Sequence, residues 1–147
     1  MELRSVTYEQ ALPLVDALSS ELTIRYGGGP ASVADPSDFV PPYGRFFVVT
    51  VDGQDVACGG VRRLTDEIGE VKRMYVEPSA RGRGLSRLVL SELVAFARSA
   101  GYRFLWLETG LRQPEAIALY ESAGFAPIDK YGQYKDEPES RCYSLAL

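Results

Sequence analysis

From Leu85 to Ala100 the apolar residues Leu85, Leu88, Val89, Leu93, Phe96 and Ala100 recur every three or four positions, with Arg87, Ser91, Glu92 and Arg98 between them. That spacing makes one apolar face of a helix. Just upstream, Val71, Arg73 and Tyr75 alternate with Lys72, Met74 and Val76, the period of a strand. A short Gly/Arg loop joins the two. Near the N-terminus, Leu3 to Val6 reads as a short strand. Thr7 and Gln10 have the spacing of a capping box, and Leu12, Val15, Leu18 and Leu22 follow at helical intervals. Pro13 requires that helix either to start there or to bend there, and the run Gly27-Gly28-Gly29-Pro30 ends it. The stretch from Ala31 to Gly44 is rich in Pro, Asp and Ser and reads as a long loop, of a length often tied to function. Arg45 to Thr50 is a strand. Asp52-Gly53 is a hairpin signal, and Gln54 to Leu64 returns antiparallel to it. Thr65 to Glu67 turns into the strand that feeds the Gly/Arg loop. Gly101 is the expected cap after the long helix, and Arg103 to Glu108 is a buried strand. Pro114 opens a further helix that Gly124 closes, and the segments from Phe125 and from Arg141 to Leu147 read as closing strands. A hairpin, then strand-helix-strand-helix, then a final hairpin implies an α/β fold of the α+β type: a mixed sheet with helices on both faces.

Length and composition bound this picture. The 147 residues suit a single domain over 1–147, which buries about two thirds of its unfolded surface. No apolar run is long enough to span a bilayer, and the N-terminus has no secretory pattern, so a cytoplasmic protein without membrane contact is expected. Cys58 and Cys142 lie within apolar strand patterns and read as buried thiols rather than a disulfide framework. Histidine is absent. This rules out Ser-His-Asp and Cys-His nucleophilic sites and the common zinc sites, and no metal is expected. Any general base must be a carboxylate, a tyrosine, or water held by them. A net charge of -4 argues against a general nucleic-acid binder.

The Gly/Arg loop ends where a helix begins, and there unpaired N–H groups and the positive end of the helix dipole favour an anion. Gly82 and Gly84 allow close backbone approach, while Arg81, Arg83 and Arg87 add charge. A phosphorylated ligand is expected. The loop is not a nucleotide P-loop, which ends in Gly-Lys-Ser/Thr, and it has too few glycines for the dinucleotide pattern. It does resemble the acetyl-CoA loop of the GNAT N-acetyltransferase superfamily, whose pattern is Arg or Gln, two residues, Gly, one residue, then Gly or Ala. Here Val76-Glu77-Pro78 precedes Arg81-Gly82-Arg83-Gly84-Leu85-Ser86, and Ser86 stands where Gly or Ala is usual. The segment Leu119-Tyr120 to Gly124-Phe125 is similar to the family's Leu-Tyr-x-x-x-Gly-Phe. The resemblance runs from about Arg45 to the C-terminus.

The resemblance implies a three-layer fold around a mostly antiparallel sheet. It also implies acetyl-CoA as co-substrate and an acetyl group passed by direct attack to a primary amine, that of a small molecule. In that family Arg81, Gly82, Arg83, Gly84, Leu85 and Ser86 would hold the pyrophosphate. Met74, Tyr75 and Val76 would offer backbone groups to the pantetheine arm. Tyr120 would face the CoA sulfur and protonate the leaving thiolate; otherwise it is a core aromatic. The asparagine often found before that helix is missing, and Gln113 stands in its place. An amine nucleophile must lose a proton. Glu70, on the strand before the loop, is one candidate base, or else a charge paired with Lys72 or Arg62. Glu108, ending an apolar strand, is the other, since a buried acid there is paired or used. For the acceptor, Tyr26, Tyr43, Tyr131 and Tyr134 with Asp35, Asp38, Asp136 and Glu137 suit a cationic amine; they equally suit a solvated surface or a homodimer contact. A protein or peptide N-acetyltransferase and a non-catalytic acyl-CoA sensor are the alternative readings.

Overall fold

The structure, a computed structural model, describes residues 1–28 and 32–147. Strand β1 (Glu2–Val6) leads to helix α1 (Leu12–Tyr26). The hairpin β2 (Arg45–Val51) and β3 (Gln54–Arg63) follows, then β4 (Ile68–Val76), α2 (Leu85–Ser99) and β5 (Phe104–Gly110). Helix α3 (Pro114–Ser122) and strands β6 (Ala126–Ile128) and β7 (Ser140–Ala146) complete the chain. The strands form one seven-stranded sheet in the order β1-β2-β3-β4-β5-β7-β6. Neighbouring strands pair antiparallel except β4 with β5, which α2 connects as a crossover. The closing pair is antiparallel as expected, but β7 inserts between β5 and β6 rather than extending the sheet in chain order.

Local signals set most boundaries. Thr7 and Gln10 bond reciprocally, the Gln10 N–H to Thr7 Oγ1 at 3.2 Å and the Thr7 N–H to Gln10 Oε1 at 2.9 Å. A 3-10 turn over Glu9–Ala11 then delivers the chain to α1, with Pro13 in its first turn, so Pro13 starts the helix and does not bend it. Gly27, at φ 76°, ends α1 through its N–H to Thr23 O; Gly29 and Pro30 of the expected stop lie outside the described residues, as does Ala31. Leu12 is exposed, and Leu14 takes its expected place in the core beside Val15 and Leu18. The long segment before β2 contains a capped 3-10 turn, Pro36–Phe39, whose Phe39 is buried.

Helix α1 and that turn cover one face of the sheet, with Tyr8, Phe39, Phe46 and Tyr75 packed together. Helices α2 and α3 cover the other, where Val89, Leu93, Leu105, Leu107 and Tyr120 share a second cluster. The three layers are those implied by the resemblance.

Two irregularities create the site. First, β4 carries a bulge. Cys58 pairs with Tyr75 and Gly60 with Lys72, so Arg73 and Met74 together face Gly59. Arg73 sits at φ 61°. The bulge shifts the alternation read from the sequence: Met74 packs with Val71 on the α2 face, while Tyr75 belongs with the α1 face. Second, β4 and β5 pair only from Ile68 to Glu70 against Phe104 to Trp106. Beyond that point the ladder stops, leaving backbone edges of both strands unpaired with each other.

Candidate active site

A cleft of about 310 Å³ opens where β4 and β5 separate. Its walls come from both faces of the sheet: Leu18, Glu21 and Arg25 of α1 on one side, Ala116, Leu119 and Tyr120 of α3 on the other. The cleft therefore passes through the split sheet. Among the residues expected for the cofactor, Met74, Tyr75, Val76, Arg81, Gly82, Gly84, Leu85, Ser86, Gln113 and Tyr120 all line it. Arg83 is exposed and does not.

The loop suits an anion through its backbone. Gly82 and Gly84 have φ of 82° and 77°, and a Cβ built on either would meet no atom within 4 Å. No side chain caps the N-terminus of α2. Open N–H groups at a helix start, beside glycines facing free space, fit the pyrophosphate of CoA. The arginine side chains behave otherwise than the pattern implies. Arg81 donates through Nε to Val76 O at 2.9 Å and through Nη2 to Glu21 Oε1 at 2.6 Å. Arg87 donates to Ser122 Oγ at 2.9 Å, tying α2 to α3.

Tyr120 lines the cleft from α3. Its ring is buried and meets Phe125 edge to face at 5.9 Å. Burial, with the Glu108 charge nearby, pushes the phenol well above its ordinary range, so it stays protonated. Gln113, at the start of α3, donates to Tyr26 Oη at 3.4 Å. Tyr26 itself crosses close over Gly110, where no side chain has room.

On the α1 face of the split lies a buried polar cluster. Glu70 is 1% exposed, and both of its oxygens are engaged: Arg62 Nε donates to Oε1 at 2.9 Å, and Tyr131 Oη donates to Oε2 at 2.6 Å. The expectation that Glu70 pairs with Arg62 is met. Glu108 accepts from Ser140 Oγ at 2.7 Å through Oε2 alone among the described residues. Burial raises its pKa, with the Ser140 bond and Lys72 opposing. Lys72 donates to Tyr134 Oη at 2.8 Å and to Ser32 Oγ. Burial lowers its pKa to about 8. Burial likewise raises Tyr131, and Tyr134 to about 12, so both stay neutral donors or acceptors.

The acceptor candidates divide. Tyr131, Tyr134 and Asp38 join the cluster, Asp38 through Arg62 at 3.3 Å, and Tyr26 contacts Gln113, which lines the cleft. Asp35 and Asp38 also form the reciprocal cap of the 3-10 turn. Tyr43 stands away from the cluster beneath the Arg63 guanidinium, and Asp136 and Glu137 are exposed. The sequence reading missed Ser32, Arg73, Ser140, Glu21 and Arg25 as site residues, and treated Lys72 only as a partner for Glu70. A lysine at a buried strand position was the one available signal. Among the described residues no three His, Cys, Asp or Glu side chains are grouped to hold a metal, and no helix is long and apolar enough to cross a membrane.

Comparison with known proteins agrees with this geometry. The profile of the Acetyltransferase (GNAT) family matches residues 14–125. An IAA acetyltransferase of Azospirillum brasilense is 40% identical over 145 residues, covering 92% of this chain and 94% of that protein. The solved structure of a Klebsiella pneumoniae protein assigned as an acyl-CoA N-acyltransferase superposes with a TM-score of 0.81 at 27% identity, covering 99% of this chain and 97% of the other. A GNAT family acetyltransferase from Elizabethkingia anophelis, solved with acetyl-CoA bound, shares the fold at a TM-score of 0.70 and 18% identity, covering 99% and 97%. The chain belongs to the GNAT acetyltransferase family and is an acetyl-CoA-dependent N-acyltransferase.

Proposed function

We propose that this enzyme moves the acetyl group of acetyl-CoA to the primary amine of a small molecule by direct attack, with Tyr120 as acid and Glu108 as base. One observation carries the reading. The cleft passes through the sheet with Tyr120 on its α3 side and α1 residues on the other, and Glu108 of the polar cluster stands near enough to Tyr120 for its charge to act on the phenol. CoA would enter along the loop of α2, its pyrophosphate on the N–H groups around Gly82 to Ser86 and its pantetheine along the free edge of β4. The thioester would then lie in the split.

In the reaction the amine nitrogen forms a bond to the thioester carbon and loses a proton, and the carbon–sulfur bond breaks. Glu108 takes the proton, directly or through water. Its burial favours the protonated state, which moves its basicity toward the task. Glu70 suits a structural role better, because Arg62 and Tyr131 already use both of its oxygens. Tyr120, held neutral by burial, gives its proton to the departing thiolate. The buried surroundings of Lys72, Tyr134 and Glu108 favour a compact acceptor over an extended peptide. The name of the Azospirillum brasilense relative also supports a small-molecule acceptor.

The test is release of CoA thiol from acetyl-CoA with a panel of small amines. Tyr120→Phe keeps the ring and should leave acetyl-CoA affinity unchanged while kcat falls by about 10²–10⁴. Glu108→Gln should fall comparably, and Glu70→Gln should lose stability more than turnover. Near wild-type turnover in a well-folded Tyr120→Phe protein removes Tyr120 from the mechanism.

A further inference from the structure

Three cations converge on the segment that follows α1. Arg62 Nη1 donates to Val33 O. Lys72 Nζ donates to Ser32 Oγ. Arg73 uses both arms of its guanidinium, Nη1 to Ser32 Oγ at 2.9 Å and Nη2 to Ser32 O at 2.7 Å. Glu70 and Glu108 stand near enough to act on Lys72 through space. Arg62 is paired with both Glu70 and Asp38. Lys72 and Arg73 have no carboxylate within ion-pair distance among the described residues. Yet Lys72 is only 8% exposed and Arg73 is half-buried. Two cations held away from water with no carboxylate bonded to either are incompletely satisfied, and an anion bonded to both at some stage of function would offset the cost of burying them.

The geometry names the shape of that anion. A guanidinium fork bonded to two oxygens of one residue, with an ammonium on one of the same oxygens, is the arrangement that binds a carboxylate. The Ser32 hydroxyl and carbonyl oxygens sit where the two carboxylate oxygens would sit. The backbone is bent to make this possible. Arg73 holds φ 61° in the bulge of β4, a left-handed conformation that non-glycine residues rarely adopt. Such strain collects at ligand sites. The bulge puts Arg73 on the α1 face, where its Nε also donates to Tyr8 Oη at 3.3 Å. Glu108 is close enough to Lys72 for their charges to act on each other.

We propose that Lys72 and Arg73 form a carboxylate subsite, and that the acceptor is an amino-acid-like compound carrying its amine and its carboxylate in one small molecule. This rests on the acetyl-transfer reading given above. The carboxylate displaces the Ser32 oxygens from Arg73 and Lys72, and the amine then points toward Glu108 and the split between β4 and β5. A simple monoamine gains nothing from the two cations and is repelled by them. An amino acid satisfies the two cations with one end and Glu108 with the other.

The N-acetyl amino acid, as product, keeps the carboxylate and lacks the reactive amine. Binding can therefore be read without turnover. The experiment is calorimetry on protein saturated with CoA, using N-acetylglycine, N-acetylleucine and N-acetylphenylalanine, each against its primary amide. At least one acid should bind about 10- to 100-fold more tightly than its amide, the worth of charged hydrogen bonds. Arg73→Gln and Lys72→Met, checked by melting temperature, should each remove most of that preference. The subsite is overturned if no acid exceeds its amide, or if the preference survives in both folded variants; the cations then serve only to anchor the Ser32 segment. Acetyl-CoA titrated alone keeps the two readings apart. If it fails to bind, the acetyl-transfer reading falls; if it binds and the acids show no preference, only the carboxylate subsite falls.

Discussion

Lys72 lies between the hydroxyls of Tyr134 and Ser32, on the face of the sheet that α1 covers. Burial brings its pKa from 10.5 down to about 8. The folded value is below the unfolded one, so the unfolded chain holds this proton more tightly. Carrying the charge costs the fold stability at and below about pH 8, and that cost fades as the pH rises toward 10.5. Lys72→Met has no such group. The stability difference between the two proteins should therefore move toward wild type by on the order of 3 kcal/mol from neutral to alkaline pH. Urea unfolding of both at several pH values measures it, and a constant difference would mean that Lys72 is solvated. Residues of this kind were hard to find in the sequence. Gly84 and Tyr120 sit in short local patterns whose chemistry needs only neighbours along the chain. Lys72 meets Ser32 across 40 positions and Tyr134 across 62. The bulge that aims Arg73 adds one residue to a run that otherwise alternates normally, and alternation alone cannot reveal it.

Helix α1 acts on the site as an element. Glu21 and Arg25, one turn apart, reach across the cleft to Arg81 at 2.6 Å and to Glu115 at 3.0 Å. The pairs are partly exposed and are each worth at most about 1 kcal/mol to stability. Their position matters more than their strength. Glu21 holds the guanidinium that the loop pattern assigns to phosphate, and its own charge opposes an incoming pyrophosphate. Glu21→Gln should raise acetyl-CoA affinity by about 2- to 10-fold at low salt, with a smaller gain at high salt. Calorimetry at two ionic strengths checks this, and weaker binding in the variant would mean that Glu21 positions Arg81 rather than withholding it. The element boundaries were the most legible part of the sequence, because they depend on caps. Gly27, Gly101 and Gly124 all have positive φ just past a helix, and Asp52-Gly53 makes the hairpin turn with φ of 50° and 78°. The contacts of α1 were not legible. Its pattern of apolar residues indicated a helix but gave no sign that its polar residues face a cleft.

At the scale of the molecule, the sheet is one layer that comes apart at a single seam. Strands β4 and β5 hold together for three residue pairs and then separate, and the cleft uses that opening to join α1, the loop of α2 and α3. A ligand seated there touches elements from both faces and links the two hydrophobic clusters. Acetyl-CoA at about 100 times its Kd should stabilise the folded state by about 2.7 kcal/mol. For a domain of this size that raises Tm by about 5–15 °C. The variants separate the parts of the site. Tyr120→Phe retains the aromatic wall and should show the same rise. Gly84→Val lowers Tm without ligand, since valine is strained at φ 77°, although its Cβ meets nothing within 4 Å of the fold. The informative quantity is thus the rise on adding ligand, not Tm itself. In Gly84→Val that rise should be largely lost, because the side chain stands in the space the pyrophosphate needs. An undiminished rise in a folded Gly84→Val protein would move CoA away from the loop, and with it the orientation that brings the thioester to Tyr120 and Glu108.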